Sequence, residues 1–301
     1  VYQAPQVGFL NSLAAIDLDG NGTSELALGI DAFDPGIATM AMPPFGPPRW
    51  RSYQSHSEII DWTMQSHPGG RRSIAYLSRP TYGSAALGTI GFVDARTFAD
   101  QGGSAVAWLP GYDGVARYLR QSAMTAFPSN GSADAVVVAG AQYPDHGGRP
   151  TDRYLWTFSG EGTFLSETVI FSDINPGRIA AAQVLARPER QIVVAGRIDP
   201  SGNGSSSPAV RVGIVDHATG AMLWQSAALP SAVGWVYKLE VADVDADGHL
   251  EIIFADGEVT SVLKPAAGQG PVASFVAHDF ALLDRGPGTA MKLAVLDGHE
   301  A

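Results

Sequence analysis

The chain has 301 residues, of which 45% are hydrophobic and only 16% charged, and this composition excludes an intrinsically disordered protein. Its formal net charge of −11 argues against a nucleic-acid partner, because the chain would repel phosphate groups. There is no cysteine, so disulfide frameworks and thiolate metal sites are excluded, and no apolar run reaches the roughly 18 residues of a membrane span.

Short aliphatic runs between turn-forming residues predict a mostly β protein. The runs are rich in Val, Ile, Ala and Leu, and the 35 glycines and 20 prolines indicate many turns. The first predicted element is a strand over "LAAI", followed by the acidic loop "DLDGNGTSE" at 17–25 and a strand over "LALGI". A near twin of this loop, "DVDADGHLE" at 243–251, lies between "LEVA" and "IIFA".

Both acidic loops place an oxygen atom at every second residue, a pattern typical of calcium sites. Alternating oxygens in a tight loop converge on one centre, and a glycine at the sixth position permits the bend. Position 12 is Leu28 in one loop and Phe254 in the other, so neither is an EF-hand. The alternative is an acidic turn without metal. The predicted ligands of two calcium ions are Asp17, Asp19, Asn21, the Thr23 main chain and Glu25, and Asp243, Asp245, Asp247, the His249 main chain and Glu251.

Four further copies of the pattern lack the full ligand set. The residues at the ninth position are then Ser73, Asp134, Gln191 and Lys292, and each precedes an aliphatic run. The residues at the first position are Gln65, Ala126, Gln183 and Asp284. With Glu25 and Glu251, the spacings between ninth positions are 48, 61, 57, 60 and 41 residues. The strand–turn–strand unit is therefore predicted to recur where the metal does not.

This repeat predicts an all-β fold, a β-propeller of about six to seven four-stranded blades in a single domain, 1–301. The predicted units lie near 11–57, 58–118, 119–175, 176–233, 234–277 and 278–301. The last unit is too short for a full blade. Either the N-terminal "VYQAPQVGF" supplies an outer strand to it and closes the ring, or the chain is part of a larger parent chain with further domains.

The loops and their flanking strands resemble the FG-GAP/VCBS repeat, the calcium-binding blade of integrin α-chain-type propellers and of many secreted bacterial proteins. The resemblance covers the chain as a periodicity, and it implies calcium ligands only in the loops 17–25 and 243–251. The family is usually seven-bladed. The resemblance also implies an extracellular, cell-surface or periplasmic location.

Ligand binding is predicted on the face opposite the calcium loops, where the longer loops lie and where binding usually resides. The residue five before each loop is polar in most units, which predicts a polar ring at the mouth of a central channel; the alternative is that solvated strand ends are simply polar. The candidate ligand-binding residues are Asn11, Arg120, Gln121, Arg178, Tyr237, Lys238, His278 and Asp279.

Three functional hypotheses follow from these patterns. The favoured one is a calcium-stabilised recognition or scaffold module that binds a protein or a glycan. The second is a secreted carbohydrate-active or other hydrolytic enzyme with its site at the channel mouth, although no HExxH, GxSxG or P-loop motif is present. The third is a piece of a larger surface protein with no separate activity.

Overall fold

The computed structural model describes residues 10–17, 25–30, 36–41, 49–52, 57–80, 89–97, 100–105, 118–127, 133–143, 152–198, 209–231, 234–256, 259–265 and 271–276. In these residues the protein is all-β, which confirms the predicted fold class, and a 3₁₀ turn (Pro68–Gly70) lies in one strand connection. No described helix has the length and apolar character that a membrane span requires.

The described strands form five antiparallel meanders, in which each strand pairs with the next along the chain. Sheet one comprises β1 (Leu10–Ile16), β2 (Glu25–Ile30), β3 (Gly36–Ala41) and β4 (Arg49–Ser52). Sheet two comprises β5 (Ser57–Ser66), β6 (Arg72–Pro80), β7 (Thr89–Asp94) and β8 (Asp100–Ala105). Sheet three comprises β9 (Tyr118–Phe127), β10 (Ala135–Tyr143), β11 (Asp152–Phe158) and β12 (Phe164–Val169).

The two remaining sheets follow the same order. Sheet four comprises β13 (Ile174–Ala181), β14 (Gln191–Ile198), β15 (Ala209–Asp216) and β16 (Met222–Gln225), and β17 (Leu229–Pro230) also pairs with β15. Sheet five comprises β18 (Lys238–Ala242), β19 (Glu251–Ala255), β20 (Val259–Leu263) and β21 (Pro271–Val276). Sheets one to four begin one or two residues before the units predicted near 11–57, 58–118, 119–175 and 176–233, and sheet five lies between residues 234 and 277. The predicted sixth unit, 278–301, lies outside the described residues.

The second strands of sheets three and four are buried on both faces. In β10, Val136 and Val138 pack with Phe92 of sheet two, whereas Val137 packs with Ile192 of sheet four. In β14 the same alternation continues, because Ile192 faces sheet three and Val193 belongs to the cluster shared with sheet five. Two-sided burial explains why these strands are continuous aliphatic runs. Sheets two to five are therefore packed face against face in chain order.

The first strands of neighbouring sheets also contact one another, from β1 and β5 through to β13 and β18. Asp61 of β5 accepts a hydrogen bond from the Met124 N–H of β9 at 3.0 Å. Thr63 accepts one from the Ala126 N–H at 3.1 Å. Thr125 of β9 accepts in the same way from the backbone of β13, at 3.3 Å. Side chains of one sheet thus satisfy the N–H groups that the edge strand of the next sheet leaves unpaired.

These contacts fix the direction of the strands. The partner of Asp61 is Met124 and the partner of Thr63 is Ala126, so β5 and β9 run in the same direction. The loops that follow them consequently emerge at the same edge. The backbone of Asp134 confirms this proximity, because its N–H donates to the Ser66 carbonyl at 2.8 Å.

We expect the substitution Asp61→Ala to lower the free energy of unfolding by about 1–3 kcal/mol, because the buried N–H groups of Trp62 and Met124 lose their acceptor. Asp61→Asn keeps one acceptor oxygen and should cost less. Chemical denaturation followed by tryptophan fluorescence measures both effects. Equal stability of the D61A protein and the parent would contradict the role of this carboxylate between the sheets.

Candidate metal centre

The second acidic loop, 243–251, joins β18 to β19 and is folded by its own carboxylates. The Asp243 carboxylate accepts hydrogen bonds from the N–H groups of Asp247 at 3.2 Å and Gly248 at 2.9 Å. The chain turns through the left-handed region at Ala246, with φ of 58°, and at Gly248, with φ of 84°. Glycine adopts such angles without the steric cost that Cβ imposes, so Gly248 occupies the bend for which the sequence predicted it.

Four carboxylates approach one another in this loop. One oxygen from each of Asp243, Asp245 and Asp247 lies within 4.8 Å of the others. Glu251 is only 1% exposed, and its Oε2 accepts a hydrogen bond from the Val244 N–H at 3.0 Å. Its Oε1 is buried without a hydrogen-bond partner. Side-chain donors that are all oxygen fit a hard cation such as calcium better than zinc or copper.

His249 enters the predicted ligand set through its main chain. Its N–H donates to the Asp247 carboxylate at 2.9 Å, so the His249 backbone lies beside one of the predicted ligands. Its side chain is exposed. The loop therefore contains all five residues of the second predicted set, with Glu251 at its buried end.

Lys264 is a residue of this centre that sequence reasoning missed. Its Nζ lies 2.8 Å from Asp245 Oδ2, also hydrogen-bonds Asp247 Oδ2, and lies 3.3 Å from Glu251 Oε1. The hydrogen bond to Asp245, followed in importance by the one to Asp247, raises the pKa of Lys264. In turn, the hydrogen bond from Lys264 lowers the pKa of Asp247. The centre is thus an acidic loop with an ammonium group held among its carboxylates.

The pairing of β19 with β20 explains how Lys264 reaches the loop. Ile252 pairs with Leu263, so the residue after β20 lies beside Glu251 at the start of β19. Lys264 is 17% exposed, with its charged end on the carboxylates. The signal in the sequence is a lysine directly after the strand "VTSVL", but its meaning depends on the register of the hairpin.

The first acidic loop is described only at its two ends. Asp17 directly follows β1, and its carbonyl oxygen accepts a hydrogen bond from the Arg72 side chain of sheet two. Glu25 begins β2, where its backbone pairs with Ile16. The other three predicted ligands, Asp19, Asn21 and Thr23, lie outside the described residues.

The corresponding loop of sheet four fills its centre with a glutamine amide. Gln183, at the first position, places its Nε2 3.3 Å from the carbonyl oxygen of Leu185, 2.5 Å from that of Arg187 and 3.2 Å from that of Glu189. These carbonyls belong to the third, fifth and seventh positions. Gln191, at the ninth position, is 2% exposed and bonds both the N–H and the carbonyl of Leu185 at 2.8 Å. In this loop a side-chain amide stands at the first position, where the acidic loops have a carboxylate, and its N–H groups bind the loop carbonyls directly.

The loop of sheet two contains a histidine–serine pair that bears on the hydrolase hypothesis. The His67 Nε2 hydrogen-bonds the Ser73 hydroxyl, and the Arg71 guanidinium donates to His67 Nδ1 at 3.1 Å. Nδ1 is then the acceptor, so the ring proton is on Nε2 and points towards Ser73. A general base needs the opposite arrangement, with a free Nε2 facing the hydroxyl. Ser73 is also buried, and its hydrogen bond to His67 joins the two ends of the loop between β5 and β6.

Three of the predicted ligand-binding residues lie where β13 approaches the segment before β18. The Arg178 Nε donates to the Tyr237 carbonyl at 2.9 Å, and Lys238 is the first residue of β18, with its Nζ 3.5 Å from Glu240. Tyr237 is 43% exposed and Trp235 is 42% exposed. Two exposed aromatic side chains thus lie in the segment that Arg178 contacts, directly before Lys238.

The other candidate ligand-binding residues are only partly described. Asn11 lies in β1, and Arg120 and Gln121 lie in β9, where the backbone is described. His278 and Asp279 lie outside the described residues. Register shifts interrupt the pairing of β1, β5, β9 and β13 near these positions. Such bulges redirect side chains and are common near binding sites.

A second histidine, His217, lies half-buried between sheets three and four. The His217 ring stacks on Phe127 with 4.8 Å between centroids, and its Nε2 lies 2.9 Å from the Thr157 hydroxyl. Burial lowers the pKa of His217 from its usual 6.5, and the positive charge of Arg190 is the second-largest cause of the decrease. Burial, and next Arg71, lowers the pKa of His67. Both histidines therefore favour the neutral form in the folded protein.

Comparison with known proteins supports the fold. No protein-family model and no curated protein matches the chain. A solved protein of unknown function from Dyadobacter fermentans is 10% identical, with a TM-score of 0.52 over 87% of this chain and 82% of its own. One from Bacteroides caccae is 12% identical, with a TM-score of 0.51 over 86% and 74%. The Dos1 propeller is 13% identical, with a TM-score of 0.50, and the match covers 90% of this chain and 61% of that chain. The likeness establishes a propeller-like, all-β fold.

We expect the melting temperature to fall as the pH is lowered from 7.5 to 5.5. The pKa of His217 is lower in the folded than in the unfolded state, so the unfolded state binds more protons. The stabilisation is complete above the unfolded-state pKa near 6.5 and is lost as the pH falls below it. His217→Gln should reduce this fall, and adding His67→Gln should reduce it further. Thermal melts at the two pH values measure it, and an unchanged pH dependence in the double variant would contradict the assignment.

Proposed function

We propose that the protein is a calcium-stabilised extracellular β-propeller that serves as a recognition or scaffold module. The observation that carries the proposal is the acidic loop 243–251, in which three aspartates converge and the buried Oε1 of Glu251 has only the Lys264 ammonium near it, at 3.3 Å. The blades would be the five described meanders together with a sixth or seventh from the rest of the chain. Its location would be extracellular, cell-surface or periplasmic.

The residues that would hold calcium at the second loop are Asp243, Asp245, Asp247 and Glu251 with the His249 main chain, and at the first loop Asp17, Asp19, Asn21, Thr23 and Glu25. Bound calcium would supply positive charge that draws the loop oxygens together. The chain's own contribution is the folded loop. The Asp243 carboxylate already accepts from the Gly248 N–H, and Glu251 already accepts from the Val244 N–H.

A recognition role is supported by two exposed aromatic side chains, Trp235 and Tyr237, close in the fold to the basic residues Arg178 and Lys238. These four residues form the proposed ligand surface. Aromatic rings combined with hydrogen-bond donors are typical of glycan and protein interfaces, where rings supply contact area and donors supply specificity. This surface lies at the beginning of β18, whereas the acidic loop follows its end. The ligand face and the calcium face would then be opposite edges of one rigid sheet stack.

We expect calcium at 1–2 mM to stabilise the protein relative to excess chelator. Extracellular sites with dissociation constants of about 0.1–1 mM would each contribute roughly 0.4–1.8 kcal/mol at these concentrations. Thermal melts should shift by a few degrees, and magnesium should not reproduce the effect. Asp243→Asn should remove the contribution of the second loop, and Asp17→Asn that of the first.

The matched control is Asp216→Asn, because this carboxylate holds a turn through Ala218 and Thr219 and lies outside both loops. The variant should lose some stability but keep the full calcium response. A melting temperature of the parent protein that does not change with calcium would contradict the calcium proposal.

We expect the double variant Trp235→Ala, Tyr237→Ala to lose binding of the labelled protein to the glycans that the parent binds on an array. The reason is that the two exposed rings provide the stacking surface. An equal signal from the variant would contradict a site at this surface. Release of reducing sugar by the parent protein would favour the hydrolytic hypothesis instead.

A further inference from the structure

Two of the described loops that join a first strand to a second bring oxygen atoms to one centre, and in each a side chain of the protein supplies the positive partner. In sheet four the partner is the Gln183 amide, which points at three backbone carbonyls. In sheet five it is the Lys264 ammonium, which contacts Asp245, Asp247 and Glu251. The two donors come from different parts of their sheets. Gln183 is the first residue of its own loop, whereas Lys264 follows the end of β20.

The oxygen atoms that Lys264 contacts are the same atoms that a metal ion would need. Asp245 Oδ2 lies 2.8 Å from its Nζ, and Glu251 Oε1 has no hydrogen bond but lies 3.3 Å from it. A calcium ion bound to these oxygens would stand within a few ångströms of the ammonium, and like charges at that distance repel strongly when partly desolvated. The two cations therefore exclude each other at this centre.

The geometry also allows the exchange. Lysine has a flexible four-carbon stem and a compact charge, so its ammonium can move to solvent without a change in the backbone. Asp243, Asp245, Asp247 and Glu251 provide four carboxylates for one ammonium, so the loop keeps a negative charge that attracts a divalent cation. The single charge of Lys264 offsets part of the repulsion among these carboxylates but leaves the Asp243 carboxylate to backbone N–H donors.

We infer that Lys264 is a tethered cation that holds the second loop folded without metal and competes with calcium for the oxygens of Asp245, Asp247 and Glu251. This inference rests on the proposed calcium function of the same loop. Calcium at the second loop has to displace a lysine, and a site of this kind responds to a higher calcium concentration than the same loop without the lysine.

The test compares the parent with Lys264→Met, which keeps the apolar stem and removes the charge, by calorimetric titration with calcium and by thermal melts in excess chelator. Asp17→Asn is included in both backgrounds so that only the second loop binds. The Lys264→Met protein is expected to bind calcium at least about tenfold more tightly, because a competing charge is gone, and to melt several degrees lower in chelator. Lys264→Arg, which keeps the charge, should retain the weak calcium affinity of the parent.

The control is Arg211→Met, which removes a cation that pairs with Asp173 outside the loop. This variant should change neither the calcium affinity nor the difference between the melting temperatures measured with calcium and in chelator. Equal calcium affinity of the Lys264→Met protein and the parent would overturn the inference, and so would equal melting temperatures in chelator. If neither protein binds calcium but Lys264→Met still melts lower, the calcium proposal and the competition fail together, whereas binding by both with equal affinity overturns the competition alone.

Discussion

The unpaired edge of each first strand is the constraint on which the rest of the protein depends. A meander leaves the N–H groups along its first strand without a backbone partner, and buried N–H groups are costly when unsatisfied. Here Asp61, Thr63 and Thr125 accept hydrogen bonds from the next first strand. Because each acceptor belongs to the preceding sheet, these bonds link sheets two, three and four in chain order, and the two bonds between β5 and β9 keep those strands parallel. The loops that follow are then gathered at one edge, and a repeated loop can perform the same task in each sheet.

In two of these loops the task is to neutralise oxygen atoms that face one centre. A loop that turns its oxygens inward needs a donor or a cation at its centre, since unpartnered polar atoms are unfavourable when removed from water. Gln183 meets the need with an amide in sheet four, and Lys264 meets it with an ammonium group in sheet five. The loop of sheet two is held differently, because His67 hydrogen-bonds Ser73 and Gln65, at the first position, donates to carbonyl oxygens of sheet three. The strand–turn–strand unit is therefore kept with different loop contacts.

The sequence was informative where one residue type could satisfy only one environment. The aliphatic runs of β10 and β14 predict strands because they are buried on both faces, and the alternating acids with Gly248 predict a turn lined by oxygens. The sequence was uninformative where a contact depends on the register between two strands or on which ring nitrogen of a histidine carries the proton. Lys264 reaches the loop only because Ile252 pairs with Leu263, and the His67–Ser73 pair looks catalytic until Arg71 shows which ring nitrogen accepts. Contacts between strands and between side chains decide these cases, and composition does not contain them.

The short strand β18 connects the two surfaces to which the proposed function refers. Lys238 is its first residue, next to Tyr237, and Asp243 follows its end, so only four strand residues, 239–242, separate the proposed ligand surface from the acidic loop. A strand in a sheet cannot shorten or bend freely, because its ladder of hydrogen bonds to β19 fixes each residue. Order imposed on the loop, by Lys264 or by calcium, would therefore limit the movement of the strand that carries the ligand surface. In this view the metal contributes to recognition through the rigidity of β18, and no contact between metal and ligand is needed.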